Sequence, residues 1–560
     1  MKHMTGAELT IKLLERQNIN IIAGIPGGSN LPLYDALSKS RSIRHILTRH
    51  EQGAGFIAQG ITRTTGKPSV CFATSGPGAT NVFTAIADAK LDSIPVICIT
   101  GQVSSHLIGT DAFQEVDTYG MSMAITKHNF LVRSAHDLLD IIPKAFRIAL
   151  SGRPGPVLID IPRDVQTQVT EIDTFPEPGA AEPSPAPDRA SLEKAARMIN
   201  AAQRPILYIG GGIIHSNAAD SVKLLAENAR IPVAMSLNGL CAMPTDHALA
   251  LGMLGMHGAP YTNLAFEECD LIIAAGTRFD DRATGKLAEF CPGAGIIHID
   301  IDPSELNKLK QTHVAVRADA REFLKAIMPL IEKRDRKPWH SRIAQLKKQH
   351  PMVMQGKDDP VKPYGIIRMI GELAGDDAII TTDVGKHQMW VAQAYPFKRP
   401  RQFLTSGGLG TMGFGLPAAI GAALAYPSRK VVCFSGDGSI LMNIQEFATA
   451  VEEETDIAVV LFNNNSLGLV RQQQDLFFGR RYFASEFKTV VDFPAIARGF
   501  GLRTFDLTGR NDPAATCAEA LASRGPCLIH VPTGLNEDVY PMVPPGAANR
   551  EMICSKASNY

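Results

Sequence analysis

Residues 431–464 read VVCFSGDGSILMNIQEFATAVEEETDIAVVLFNN, and the period of the apolar residues changes twice along that run. A β-branched strand, VVCF, ends at Gly436-Asp437-Gly438-Ser439. A helical stretch, IQEFATAVEEE, follows, and a second apolar strand, AVVLF, ends at Asn463-Asn464. Strand, helix and strand at this spacing predict a right-handed β-α-β unit with parallel strands. The carboxyl ends of both strands then emerge on one edge, where Asp437 and Asn464 face a common site. G-D-G by itself is an ordinary turn. The Asn pair that closes the second strand makes it a candidate cation site. An Asp carboxylate, an Asn amide oxygen and a backbone carbonyl suit the octahedral all-oxygen preference of Mg²⁺.

The same alternation runs through the rest of the chain. Short β-rich runs at 69–72, 96–100, 157–161, 206–209, 271–274 and 296–301 are separated by helical patterns and Gly-rich connections. This predicts an α/β protein built from doubly wound parallel sheets covered by helices on both faces. Two breaks divide it. Residues 171–188, EIDTFPEPGAAEPSPAPD, carry five prolines and describe an extended linker. Residues 333–362 are charged and interrupted by Pro338, Pro351 and Pro360, with one short amphipathic helix near 340–350. Three domains are expected, at 1–170, 189–332 and 363–560. The first and third each carry a Gly-rich loop running into a small-residue helix, which hints at duplication of one fold.

Bulk composition excludes several classes. Length 560 predicts three or four ordinary domains, and Lys+Arg and Asp+Glu cancel at 56 each, with no basic stripe to track a nucleic-acid backbone. The nine cysteines show no C-x-x-C pair or zinc spacing, so buried reduced thiols in a cytoplasmic protein are expected. The amino terminus, MKHMTGAELTIKLLERQNIN, predicts an amphipathic helix from the first residues, without a secretory or transit signal. Apolar runs such as 96–99 and 418–425 fall short of the roughly 18 to 20 residues that span a bilayer, so no membrane is expected.

Gly408-Leu409-Gly410-Thr411-Met412-Gly413 satisfies G-x-G-x-x-G, but Ser428-Arg429-Lys430 stand where a nicotinamide site needs an acidic residue, and the preceding QFLTS is a poor core strand. That reading is rejected. Asp437 with Asn464 instead resembles the fingerprint of the thiamine-diphosphate enzymes, in which G-D-G and a downstream Asn anchor the metal that clamps the cofactor's diphosphate. The resemblance implies Asp437, Asn464 and the Ser466 carbonyl as Mg²⁺ ligands. It places Gly438, Ser439, Gly468, Leu469, Val384, Gly385, Lys386 and His387 around the diphosphate, and Gly410 and Met412 against the aminopyrimidine. AGIPGG (23–28, with Pro26 and Gly28), RHEQGA, ATSGPGATN (73–81) and ITGQV (99–103) match the family's pyrimidine-binding pattern in order. Glu51 stands where the strand-like IRHILTR passes into a helix, a place where a Glu is ordinarily a partner for the helix dipole. By the resemblance it is the catalytic acid, a buried carboxyl of raised pKa that exchanges a proton with the pyrimidine ring nitrogen. An intact Glu51 also speaks against glyoxylate carboligase, a relative that lacks it.

Over essentially the whole chain the sequence resembles the catalytic large subunits of the acetolactate synthase family. The runs are GTDAFQE (109–115), GRPGPVLIDIP (152–162), LGMLGMHG (251–258), GTRFDDR (276–282), DVGKHQMW (383–390) and VYPMVPPG (539–546). The implied reaction decarboxylates pyruvate and joins the two-carbon unit to pyruvate or 2-ketobutyrate, giving 2-acetolactate or 2-aceto-2-hydroxybutyrate for branched-chain amino acid biosynthesis. GTRFDDR with HIDID (298–302) resembles the family's FAD-binding domain. The implied flavin contacts are Arg153, Gly210, Gly211, Gly212, Met256, His257, Gly258, Gly276, Arg278, Asp280, Asp300, Asp302 and Asp319. Arg282 matches the arginine for the second ketoacid's carboxylate, a bidentate and permanently charged partner. Its bland alternative is a surface ion pair with Asp280 or Asp281. Phe113, Gln114 and Lys127 match positions lining the opening to the site.

Two departures carry consequences. Gln473 stands where most of the family has a Trp against the ethyl group of 2-ketobutyrate, so weak discrimination between the two acceptors is expected. Lys386 replaces a Gln and is expected still to donate to the diphosphate. The family resemblance also implies a homodimer with the site between subunits, and a separate small regulatory subunit. The alternatives are another thiamine- and flavin-dependent enzyme such as pyruvate oxidase, or an inactive homologue.

Overall fold

In the computed structural model, which describes residues 2–509 and 511–555, three parallel six-stranded sheets organise the chain. The first contains, in spatial order, Arg44–Leu47, Ile21–Gly24, Ser69–Ala73, Val96–Gln102, Val157–Pro162 and His128–Leu131. The third contains Phe403–Leu404, Ile379–Thr382, Val431–Gly436, Ile457–Asn463, Cys527–Pro532 and Arg503–Asp506. Numbered by chain order, the strands of both sheets run 2-1-3-4-6-5. The middle sheet is Ala250–Met253, Val233–Met235, Pro205–Ile209, Leu271–Ala275, Gly295–Asp300 and Val314–Arg317, which is 3-2-1-4-5-6. The α/β class expected from the alternation is therefore observed. The shared order of the first and third sheets adds a topological likeness to their similar Gly-rich loops.

The central strands are buried on both faces along their whole length, as in Ser69–Ala73 and Val96–Gln102. Burial on both faces explains why they read as continuous apolar runs rather than alternating ones. Helix Glu51–Thr65 packs on helix Gly415–Ala425 across the first and third sheets, and Ile57, Ala58, Leu416 and Ile420 share one apolar cluster. The backbones touch there. A Cβ on Gly60 would lie 2.2 Å from the Ala418 carbonyl oxygen, and one on Gly421 would lie 2.1 Å from that of Ile57. Phe56 and Phe414 meet edge-on beside this crossing, with ring centroids 5.3 Å apart. A second cluster runs from Leu207 and Ile299 of the middle sheet to Phe434 and Val460 of the third.

The amino terminus departs from the expected helix. Lys2–Thr5 is a strand paired antiparallel with Val169–Ile172, and the helix spans only Gly6–Arg16. Thr5 and Glu8 form a reciprocal capping box, which starts the helix at Gly6 and leaves the preceding residues free to pair. The paired strand Val169–Ile172 takes up the first residues of the Pro-rich stretch, and residues 174–188 have no regular structure. Among the described residues no helix is long and apolar enough to cross a membrane.

Candidate active site

In a doubly wound sheet, ligands sit outside the carboxyl ends of the strands where the strand order reverses. In the third sheet that crevice lies between Ile379–Thr382 and Val431–Gly436. Asp383, Val384, Gly385 and Lys386 follow the first of these strands, and Asp437 follows the second. Asp437 is buried, and its carboxylate collects backbone N–H groups. Oδ1 accepts from Gly438 at 2.8 Å, and Oδ2 accepts from Asn464 and Ser466, each at 3.2 Å. Asn464 Oδ1 accepts in turn from Ser466 N at 3.1 Å and Ser466 Oγ at 3.0 Å. The ends of two successive strands thus form one knot of oxygens. Burial holds the Asp437 carboxyl up at about 6 against the pull of these amides.

Around the knot, helix Lys386–Ala394 begins at Gly385, whose φ of 154° and crowding by the His387 ring disfavour any side chain. His387 is buried, its Nε2 has no hydrogen-bond partner, and desolvation drives its pKa down to about 3. Ser439 Oγ donates to the Val384 carbonyl at 2.6 Å. Lys386, also buried, pairs with Asp538 at 2.7 Å. Desolvation lowers its pKa and Asp538 opposes the shift. Helix Gly468–Phe477 starts on the same side; a Cβ on Gly468 would meet Asn464 Nδ2 at 2.9 Å and Lys386 Cδ at 3.0 Å.

Glu51 stands at the first position of helix Glu51–Thr65, where His50 Nδ1 accepts from Gln52 N. It is 9% exposed, and Oε2 accepts from Asn81 Nδ2 at 2.9 Å. Pro26 and Gly28 follow strand Ile21–Gly24, and a Cβ on Gly28 would meet nothing within 4 Å. Gln114, at φ 60°, packs against the Gly76 turn that opens helix Pro77–Leu91, and Phe113 beside it is 87% exposed. Lys127 immediately precedes strand His128–Leu131. Its ammonium donates to the carbonyls of Ile148 and Ser151, and burial pulls its pKa down to about 8.

The middle sheet reverses order between Pro205–Ile209 and Leu271–Ala275, whose ends are Gly210 and Gly276. A cavity of 660 Å³ opens there, within the range of about 300–1,000 Å³ typical of cofactor and small-molecule sites. The cavity brings together Arg153, Gly210 to Gly212, Met256, His257, Gly276, Arg278, Asp280, Asp300 and Asp319. Gly258 and Asp302 lie outside its wall, although Asp302 pairs with Arg153 at 3.2 Å. Burial raises the Asp300 carboxyl to about 6 and keeps His257 neutral, its pKa pushed down to about 4. The wall continues to Arg282, Gln473, Leu469 and Gly410, whereas Glu51, Met412, Asp437, Asn464, Phe113, Gln114 and Lys127 do not line this cavity. Arg282 makes a loose, exposed pair with Asp281 at 3.6 Å and donates to Met256 Sδ at 3.5 Å, while Asp280 caps its helix.

Asn81 and Asp538 escaped the sequence reading. Asn81 sits on the helix after ATSGPG, one turn past Gly78, and no local signal in that helix shows that it faces Glu51. Asp538 lies far along the chain from Lys386, beyond the last strand of the third sheet, and no local signal announces the pair. Among the described residues no group of three or more His, Cys, Asp or Glu side chains could hold a metal ion.

Comparison with known proteins matches three family models in order: the N-terminal TPP binding domain of thiamine pyrophosphate enzymes over residues 4–121, the central domain over 192–327 and the C-terminal TPP binding domain over 383–531. Over 552 residues the chain is 59% identical to the acetolactate synthase isozyme 1 large subunit of Escherichia coli K12, covering 99% of this chain and 98% of that one. It is 46% identical to the isozyme 2 large subunit of the same organism, covering 98% and 99%. Identity to acetolactate synthase 1, chloroplastic, of Nicotiana tabacum is 42%, covering 98% and 84%.

Proposed function

The chain belongs to the acetolactate synthase family of thiamine pyrophosphate enzymes, and from that premise we propose how its residues divide the work. Pyruvate is decarboxylated and its two-carbon unit is transferred to a second 2-ketoacid, either pyruvate or 2-ketobutyrate. One observation carries the assignment of the centre: Asp437 and the Asn464–Ser466 turn form an oxygen knot at the third sheet's switch point, beside the partnerless His387 Nε2. These hard oxygens suit Mg²⁺. The N-terminal ends of helices Lys386–Ala394 and Gly468–Phe477, with Lys386, suit a diphosphate.

Thiamine diphosphate, when bound, supplies the electron sink that lets pyruvate lose CO₂. The protein's part is to orient and to move protons. Glu51, oriented by Asn81, exchanges a proton with the aminopyrimidine ring nitrogen. Gly410 and Met412 hold that ring in place. Arg282 binds the carboxylate of the second ketoacid; its exposed guanidinium and loose pairing leave it available for that role. Gln473 borders the acceptor's alkyl group, and Phe113, Gln114 and Lys127 belong to the opening.

FAD fits the 660 Å³ cavity on two counts. The strand order 3-2-1-4-5-6 is that of dinucleotide-binding sheets, and the cavity lies at its switch point. Close contact of Gly210 and Gly212 with Gly276 leaves the backbone bare where a ligand approaches. The reaction has no net redox step, so the proposed role is structural.

The Glu51 group and the Asp437 group have separate sets of partners within the chain. Met121, Met123, Leu441, Met442 and Val470 are exposed apolar side chains, and Leu441, Met442 and Val470 follow the Asp437 and Asn464 turns in sequence. Exposed patches of this kind mark protein contacts and support a homodimer whose sites form between subunits. The relatives' designation as large subunits supports a separate small regulatory subunit. Eight buried free cysteines among nine favour the cytoplasm.

The test is mass-spectrometric product analysis of the purified chain with thiamine diphosphate, Mg²⁺ and FAD, given pyruvate with and without 2-ketobutyrate. Acetolactate that disappears in Glu51→Ala and Asp437→Ala supports the assignment. Acetate or acetyl phosphate as product would overturn it.

A further inference from the structure

Residues 405–411 have no regular secondary structure, so their backbone and hydroxyl donors need partners from elsewhere. The end of helix Pro77–Leu91, in the first sheet's layer, provides them. Thr411 Oγ1 donates to Asp88 Oδ2 at 2.7 Å, Ser406 Oγ donates to the same oxygen, and Thr411 N donates back to Ser406 Oγ at 2.8 Å. Asp92 accepts from Gly407 N at 3.0 Å and from Gly408 N at 2.8 Å. Both carboxylates are buried. Arg63 lies between them, 2.8 Å from Asp92 and 3.2 Å from Asp88, and also donates to the Thr405 carbonyl at 2.9 Å. Asn238 of the middle layer reaches Asp92 Oδ1 at 2.7 Å, and Gln388 reaches the Ser406 carbonyl at 3.0 Å. Burial and the neighbouring Asp92 raise the pKa of the Asp88 carboxyl, against the pull of Arg63 and of the Ser406 and Thr411 hydroxyls. These hydrogen bonds involve neither the proposed Mg²⁺ knot nor Arg282.

We propose that Asp88 and Asp92 are positioning residues for the reaction: they set the shape of residues 405–411 and so present Gly410 and Met412 to the aminopyrimidine of thiamine diphosphate. This rests on the assignment of Gly410 and Met412 given above. The reach is from one layer to another: carboxylates at the end of a first-domain helix hold a loop of the third domain. The loop's shape therefore depends on the packing of helix Pro77–Leu91 against the third layer.

The test uses the full-length protein with Mg²⁺ and measures thiamine diphosphate affinity by tryptophan fluorescence; Trp390 lies on the helix that starts at Gly385. Thr411→Val removes the hydroxyl at nearly constant volume, whereas Thr411→Ser keeps the hydroxyl and loses the methyl. Both leave the Arg63–Asp92 pair intact, and thermal denaturation checks folding. Losing a hydrogen bond to a buried carboxylate predicts roughly a tenfold weaker affinity for Thr411→Val, with KM for pyruvate at saturating cofactor unchanged. Thr411→Ser should bind as the parent does, the reverse of what a packing role requires. Ser406→Ala combined with Thr411→Val should weaken the affinity further. If Met412→Ala weakens cofactor binding while Thr411→Val does not, the positioning role is refuted. If neither variant moves the affinity, the loop is not the cofactor's cradle, and the assignment of Gly410 and Met412 falls with the proposal.

Discussion

Replacing Arg282 by Gln separates binding of the second ketoacid from folding. The Arg282 side chain is 67% exposed, its ion pair with Asp281 is 3.6 Å long, and Asp281 is itself 81% exposed. Such a pair contributes about 0–1 kcal/mol, so the melting temperature should move by no more than a few degrees. The Arg282 backbone carbonyl, which accepts from Met256 N at 2.8 Å, is untouched. A charge-assisted contact to a substrate carboxylate is worth about 1.5–3 kcal/mol, equivalent to about 10- to 150-fold in affinity. The assay is initial-rate formation of 2-aceto-2-hydroxybutyrate against 2-ketobutyrate concentration at fixed pyruvate. The apparent KM for 2-ketobutyrate should rise by that factor in Arg282→Gln, and Arg282→Lys should recover part of it. An unchanged KM in a folded variant would refute the role.

Glu51→Gln keeps an oxygen for Asn81 to donate to and should fold normally. It should lose about 10²- to 10⁴-fold in turnover while still binding thiamine diphosphate, as read by fluorescence titration. Gln473→Trp restores an apolar wall, and in competition between the two acceptors the product ratio should shift toward 2-aceto-2-hydroxybutyrate by about tenfold, the lower part of the range a methylene contact allows. Asp160, fully buried, accepts from Thr100 Oγ1 at 2.7 Å and Gln102 Nε2 at 3.0 Å, and burial pushes its carboxyl up to about 7. The folded state therefore holds a proton that the unfolded chain releases near pH 4. Asp160's contribution is complete below about pH 4 and is lost as pH rises through about 7, at up to about 1.4 kcal/mol per unit. Asp160→Asn should flatten the stability profile of the parent in that window, measured by denaturant unfolding at several pH values.

Much of the fold was legible because the signals are local. The strands at 69–72, 96–100 and 431–434 announce themselves as apolar runs, since parallel strands buried on both faces need apolar side chains at every position. The start of a helix at Glu51 was readable from the preceding strand pattern. At the amino terminus the same reading was wrong by one strand. Lys2–Thr5 has no strong pattern of its own and is extended because Val169–Ile172 lies beside it. In the candidate site, Asp437 and Asn464 share one β-α-β unit, so their spacing alone brought them together. Lys386 was singled out, but its partner Asp538 was not, because an ion pair between such distant stretches of chain leaves no trace in local pattern.

The sequence by itself determined the α/β class, the parallel strands, and the motifs whose residue types carry the chemistry, because each is set within a strand or helix and its turn. Only the tertiary structure decided the strand orders, 2-1-3-4-6-5 in the outer sheets and 3-2-1-4-5-6 in the middle one, and hence where each crevice opens. It also decided that Arg282, Gln473 and Gly410 line the same cavity as Gly210 and Asp300, and that Asp88 and Asp92 hold a loop in another layer. These are outcomes of packing between layers. Contacts such as that of Gly60 with Ala418 join residues from different domains, and shape complementarity between distant surfaces, rather than any local preference of the chain, selects them.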